Sequence, residues 1–304
     1  MALTSHTAPL TLAQAERLRE VLVDRGYDLI EKPYTLYAAR KGKLSISVYE
    51  KGPKVLIQGK DTEEFITFLL EPEITGVAQL GYEEEMDPEM FAPHFGIDES
   101  GKGDYFGPLV IAGAYTDSEV AHALKAAGVM DSKRISSAKR IRELAKKIRS
   151  VRGIATSIVA IGPERYNQML ASFGNLNRLL AWGHAKVISN LAEQRPQCPR
   201  ALSDQFARPE VLARALKAQN VNIQLDQRTK GESDIAVAAA SILARERFID
   251  WIDKTSKAGG ITIPLGASAA VIDAGKEIVR SHGPDALGKV AKLHFKTTSS
   301  ITGI

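Results

Sequence analysis

Two adjacent carboxylates, Asp98 and Glu99, close a short apolar run containing Phe95 and Ile97. The chain then passes directly into Ser100-Gly101-Lys102-Gly103-Asp104-Tyr105-Phe106-Gly107-Pro108. Acids at the end of a strand, beside backbone free of side chains, suit a site that holds divalent cations close to a phosphodiester. Oxygen ligands are what Mg²⁺ requires, and a glycine loop lets a nucleic-acid backbone approach the main chain. Asp204 leaves a second apolar run, Arg200-Ala201-Leu202-Ser203. Glu232 and Asp234 open a helix that contains the alanine-rich stretch Ala236–Arg245. Singly, each acid has a plain explanation: an acid in a first helical turn is favoured by the helix dipole. As a set they form two at one strand end, one at another and one or two at a helix start. Two-metal phosphodiester chemistry needs about four carboxylates, because two dications about 4 Å apart repel and must be neutralised. Asp131-Ser132-Lys133-Arg134 precedes a helix; it reads either as a capping segment or as a source of a phosphate-contacting lysine, Lys133.

Rival motifs fail on inspection. Gly96 to Gly103 comes close to the phosphate-cradling G-x-x-x-x-G-K-[ST], but Gly103 replaces the hydroxyl that would bind Mg²⁺, and acids occupy the loop where phosphates would sit. Gly101-Lys102-Gly103 with Gly107 has one residue too many for G-x-G-x-x-G, and a strand follows it rather than a helix. The six histidines are scattered, with no pair at helical spacing to suggest a zinc site.

The elements that must position these residues follow an α/β pattern. Strands are expected at about 94–99, 108–116, 153–161, 200–205 and 221–226, and helices at about 136–150, 163–171, 176–194, 232–254 and 267–281. The short loop ending at Gly107-Pro108 leaves no room for a crossover, so the first two strands are expected to be antiparallel. Helical connections later in the chain predict parallel neighbours, giving a mixed sheet with helices packed against it.

Ahead of this lies a smaller unit with its own charge pattern. From Lys32 to Lys60 there are seven basic residues and one acid, Glu50; from Asp61 to Glu89 there are ten acids and no lysine or arginine. Thr11 to Arg25 has the apolar spacing of an amphipathic helix, with Thr11 as N-cap. Strands follow at Thr35–Ala39, Leu44–Tyr49 and Lys54–Gln58, and then a helix at about Thr62–Leu70. Alternation in the middle strand turns Leu44, Ile46 and Val48 to the helices, leaving Ser45, Ser47 and Tyr49 on an open, lysine-flanked face. That face suits a sugar-phosphate backbone, or is simply a solvated surface. The organisation expected is residues 1–71, a linker at 72–92, and 93–304.

Bulk composition sets the frame. The chain has 304 residues, 44% apolar and 25% charged, with a net charge of +4, as befits an ordinary globular protein with two domains or one large one. No run of eighteen apolar residues exists, and Met1–Leu10 lack the basic-then-apolar pattern of a leader. The single cysteine, Cys198, leaves no internal disulfide and fits a reducing compartment. A cytoplasmic location with no membrane contact and no obligate protein partner is expected.

The motifs together resemble the type 2 ribonucleases H. Gly96–Pro108 resembles that family's first active-site motif; Asp104-Tyr105-Phe106, and Lys102 where the HII branch has arginine, point to the bacterial ribonuclease HIII branch. Asp131-Ser132-Lys133, Ser203-Asp204-Gln205-Phe206-Ala207, Lys230-Gly231-Glu232-Ser233 and Leu293-His294-Phe295 resemble its later motifs. The resemblance implies a ribonuclease H-like mixed five-stranded sheet with flanking helices, plus a small N-terminal α+β, TBP-like substrate-binding domain. It implies catalysis and metal binding by Asp98, Glu99, Asp204 and Glu232, with two Mg²⁺ or Mn²⁺ ions. Asp234 stands two residues on, and the HII branch has aspartate at this motif, but the Lys-Gly-acid context selects Glu232. Gly101, Lys102 and Gly103 are then expected to meet the ribose edge, with Lys133 on a phosphate. The implied reaction hydrolyses the RNA strand of an RNA/DNA hybrid to 5′-phosphate and 3′-hydroxyl ends. An HII-like nuclease acting at single embedded ribonucleotides and an inactive hybrid-binding protein are the alternatives.

Overall fold

A computed structural model describes residues 4–76, 87–129, 132, 135, 137–228 and 231–303, the side chain of Glu232 excepted. The chain divides into two compact units, Met1–Glu89 and Met90–Ile304.

The first unit is an antiparallel sheet backed by two helical segments. Its elements are β1 (Ser5–Pro9), α1 (Leu12–Asp24), β2 (Asp28–Ile30), β3 (Thr35–Lys41), β4 (Leu44–Tyr49), β5 (Lys54–Gln58) and α2 (Thr62–Phe65), which continues as a π-helix over Ile66–Thr75. Strand order is β1-β5-β4-β3-β2. Thr11 caps α1 as expected, in a reciprocal box with Gln14. Leu18 and Leu22 of α1 pack with Ile46, Val48, Val55 and Ile57 into a closed core. The unit departs from the expected three-stranded meander in its two edge strands. Ser5–Pro9 and Asp28–Ile30 are short, and only Ala8 among them is buried, so they carry no apolar alternation to read. The last helix runs past Leu70 and through Pro72, ending at Gly76 in the left-handed conformation. Ser47 is also not open: it is 1% exposed, and the Lys32 ammonium donates to its hydroxyl at 3.0 Å.

A helical turn, α3 (Pro88–Phe91), leads into β6 (His94–Ser100), β7 (Leu109–Thr116), α4 (Ser118–Ala126), α5 (Ala138–Ser150) and β8 (Ala155–Ile161). Then come α6 (Pro163–Phe173), α7 (Leu176–Gln194), β9 (Arg200–Asp204), α8 (Pro209–Ala218) and β10 (Gln224–Arg228). A 3₁₀ turn (Gly231–Ser233) precedes α9 (Ile235–Gly259), α10 (Ala269–His282), α11 (Asp285–Val290) and α12 (Thr297–Thr302). The sheet is five-stranded and mixed, in the order β10-β9-β6-β7-β8. As the short loop dictates, β6 and β7 are antiparallel; β9 lies parallel to β6, and β10 parallel to β9. One expectation fails: β8 is antiparallel to β7, because the α4–α5 pair returns the chain at the same end of the sheet where β7 finishes, Tyr115 pairing with Ala155.

The two sheet faces have separate cores. Val110, Ala112 and Ala114 point to α9 and meet Ala238, Ala239 and Ile242. Phe95, Ile97, Leu109 and Ile111 point the other way, to Leu180, Val187 and Ile188 of α7. At Gly96 a Cβ would lie 2.2 Å from the backbone of Ala236 and Val237. Only glycine lets the first turn of α9 rest directly on the strand that carries Asp98. Among the described residues no helix is long and apolar enough to cross a membrane.

Candidate active site

The register between β6 and β9 builds the site. Phe95 is paired with Ala201, Gly96 with Leu202 and Ile97 with Ser203, so the next residue on each strand is an aspartate: Asp98 and Asp204. Alternation sends Asp98 to the α9 face with Gly96, and Glu99 to the α7 face with Ile97. The pair Asp98-Glu99 thus straddles the sheet edge. Both line a cleft of about 380 Å³ together with Lys102, Gly103, Asp204 and Arg245.

Each carboxylate is held by a specific neighbour. Asp98 Oδ1 accepts the Glu99 N–H at 2.8 Å. Asp204 Oδ1 accepts the N–H of Gly231 at 3.1 Å, which ties the 3₁₀ turn bearing Glu232 to the end of β9. Glu99 Oε2 lies 3.1 Å from His184 Nε2, and Oε1 lies 3.4 Å from Lys102 Nζ. Burial, the largest single influence, pushes the Glu99 carboxyl up; the hydrogen bond and charge of His184, followed by those of Lys102, outweigh it and leave it below its ordinary value. The far side of the His184 ring meets Ser203: Nδ1 is 3.0 Å from its hydroxyl, which donates to the Asp204 carbonyl at 3.0 Å.

Asp234 is engaged by the fold itself. It is 6% exposed and N-caps α9, its Oδ1 accepting from Ala236 at 2.8 Å and Val237 at 3.1 Å. Both its oxygens also face Nε2 of buried His94, at 3.1 and 3.0 Å. Its hydrogen-bonding capacity is spent on the fold.

The glycine loop is tightly made. Gly101 has φ +86°, and a Cβ there would meet the Pro108 carbonyl at 2.2 Å, whereas nothing approaches the corresponding point at Gly103. The loop therefore turns on Gly101 and presents Gly103 to open space. Lys102 reaches back to Glu99 and lies 5.9 Å from the ring centre of Phe206. Lys133 lies outside the described residues. Its neighbour Ser132 is buried, hydrogen-bonded to Ser241 at 2.6 Å, and accepts from Arg245 through its carbonyl.

His184, Ser203, Ser241 and Arg245 are additions to the residues read from the sequence. His184 stands in an apolar helix face, where a histidine carries no local mark of its partner 85 residues away. The donors at the strand ends are all carboxylate oxygens, a set that fits a hard cation such as Mg²⁺ or Mn²⁺ better than a softer ion. Among the described residues, which do not include the Glu232 side chain, no three acid, histidine or cysteine side chains form a group that could hold a metal ion.

A mixed sheet with aspartates at two adjacent central strand ends, a glycine loop beside them and a helix start closing over them defines a ribonuclease H-like protein. The chain belongs to the Ribonuclease HII family, whose model matches residues 95–298. Residues 14–79 match a domain of unknown function (DUF3378). Ribonuclease HIII of Protochlamydia amoebophila (strain UWE25) is 44% identical over 294 residues, covering 97% of this chain and 95% of that protein. Ribonuclease HIII of Chlamydia caviae is 42% identical over 286 residues, covering 93% of each. The crystal structure of Bst-RNase HIII in complex with Mn²⁺ superposes with a TM-score of 0.69 at 27% identity, covering 99% of this chain and 98% of that one.

Proposed function

We propose that this protein is an endoribonuclease of the HIII type that hydrolyses the RNA strand of RNA/DNA hybrids, leaving 5′-phosphate and 3′-hydroxyl ends. The observation that carries the reading is the β6–β9 register, which sets Asp98 and Asp204 side by side and, through Gly231, draws the Glu232 turn to them. The relatives' name, and the Mn²⁺ held by a structural neighbour, support it.

Asp98, Glu99, Asp204 and Glu232 would hold two Mg²⁺ or Mn²⁺ ions. Such ions, when bound, make water acidic enough to attack a phosphodiester and stabilise the leaving oxygen. The chain's own residues arrange the rest. His184 and Lys102 keep Glu99 ionised and oriented toward the cleft. Gly101, Lys102 and Gly103, of which Gly103 is exposed, supply a backbone edge for the 2′-hydroxyl that separates RNA from DNA. Lys133 serves as a phosphate contact. Residues 1–71 form the substrate-binding domain, 72–92 the linker and 93–304 the catalytic domain, and the protein acts in the cytoplasm.

The test compares a full RNA/DNA hybrid with a DNA duplex containing one ribonucleotide, in Mg²⁺ and in Mn²⁺. Cleavage of the hybrid, lost in Asp98→Asn while hybrid binding persists, is the expected result. Preferential cleavage at the single ribonucleotide would favour HII-like activity, and binding without cleavage by the unaltered chain would sink the proposal.

A further inference from the structure

Lys292 is fully buried, with its ammonium set among main-chain carbonyls. Its three ammonium hydrogens have three acceptors, all main-chain carbonyls of the glycine loop: Asp104 at 2.8 Å, Phe106 at 3.3 Å and Gly107 at 2.7 Å. The faces of Tyr166 and Phe248, with ring centres at 5.8 and 6.0 Å, enclose the remainder. A buried charge is costly where an apolar side chain would fill the same space, so its retention calls for a use. The use visible here is geometric. A compact donor with three hydrogens on one nitrogen can draw three carbonyls of one tight loop toward a single point.

The surrounding stitches reinforce that reading. The Lys292 N–H donates to the Tyr105 carbonyl at 2.8 Å and the Gly107 N–H to Val290 at 2.9 Å. The strand-like segment that carries Lys292 is itself held by Asn167 of α6, whose amide donates to Ala291 at 2.9 Å and whose carbonyl accepts from Leu293 at 3.0 Å. The opposite end of the loop turns on Gly101, with Lys102 and Gly103 between the two anchors.

We propose that Lys292 is a positioning residue for RNA cleavage: its ammonium turns the carbonyls of Asp104, Phe106 and Gly107 inward and so fixes the Gly101–Gly107 loop beside Asp98 and Glu99. This rests on the hybrid-cleaving function proposed above, with Gly101–Gly103 as the ribose-reading edge. A loop displaced by about 1 Å costs up to roughly a hundredfold in rate while substrate still binds.

The test uses the full-length chain with K292M, which keeps the length and removes the donors, and K292R, whose planar fork cannot converge on three carbonyls. For both, kcat on a uniform hybrid should fall by about tenfold or more while KM moves less than about threefold. Amide hydrogen exchange should show protection lost in residues 101–107 and kept in β6, β7 and β9. Unchanged kcat, or protection lost evenly across the sheet, overturns the proposal. If K292M does not fold, Asn167→Ala loosens the same segment while leaving the ammonium in place. It should produce a smaller loss of kcat with the same localised exchange, and an unchanged loop would again overturn the idea. Failure of the unaltered chain to cleave hybrid would count against the parent function instead, since loop exchange is read independently of activity.

Discussion

His184 holds Glu99 from the helical side of the sheet, its Nε2 3.1 Å from Oε2 of the carboxylate and its Nδ1 turned to Ser203. One buried ring thereby spans the two strand ends that carry the acids. Groups that orient a metal ligand are commonly worth a factor of about 10–100 in metal affinity. For His184→Ala, the Mg²⁺ concentration giving half-maximal cleavage should rise by about that factor, with a smaller change at saturating metal. Calorimetric titration of Mn²⁺ into the free protein gives a second readout. An unaltered metal requirement would make His184 a core residue only.

Glu232 and Asp234, two residues apart, should separate cleanly. Glu232→Gln is expected to abolish cleavage and leave the melting temperature unchanged. Asp234→Ala removes the α9 cap and leaves His94 facing no carboxylate, which should cost at least about 1 kcal/mol in a urea titration. If Glu232→Gln remains active, the fourth carboxylate has been misassigned.

Lys292 gives a pH dependence with a defined sign. Burial pushes its ammonium down to about 7, with the nearby charge of Asp104 acting in the opposite direction. Tyr166 and His294 are the other titratable side chains at its side. A lysine whose folded value lies below its unfolded one binds a proton less tightly in the native state. Its penalty is complete below about pH 7 and fades as pH climbs toward the ordinary value of 10.5. Unfolding free energy, relative to K292M at constant ionic strength, should therefore rise between those limits. A flat difference would mean that the three carbonyls keep the ammonium charged throughout.

The basic strands of the first unit predict a salt effect. Replacing Lys43, Lys51, Lys54 and Lys60 by alanine should weaken hybrid binding at low salt and flatten the dependence of log K on log salt. Each lost phosphate contact would change the slope by about 0.9 for a duplex. Identical slopes would reduce these lysines to solvation.

Much of this architecture could be read directly from the chain. The Thr11 cap, the antiparallel β6–β7 pair and the acids at the ends of β6 and β9 all follow from local rules: capping, loop length and the exit of a carboxylate from an apolar run. What a local reading leaves out is non-local, or too short a pattern to stand out. Asp117 caps α4 and Val120, Ala121 and Leu124 give it an apolar face, a pattern that was present but short. The direction of β8 depends on how α4 and α5 return the chain, which no window of sequence contains. Lys292 is one of 40 lysines and arginines, and only the closed fold shows that its partners are carbonyls 185 to 188 residues away. Gly96 belongs to a recognisable motif, but its physical reason is the backbone of Ala236 lying where a side chain would be.

That separation between Gly107 and Lys292 has a consequence for biosynthesis. A ribosome that has completed the loop must add 185 more residues before the side chain that grips it exists. At about 5–20 residues per second this takes roughly ten to forty seconds. Throughout that interval the nascent chain carries Asp98 and Glu99 beside a loop with no lock. On the role proposed for Lys292, competence to cut would arrive late in translation, and a product terminated before it would have its carboxylates but no fixed loop beside them.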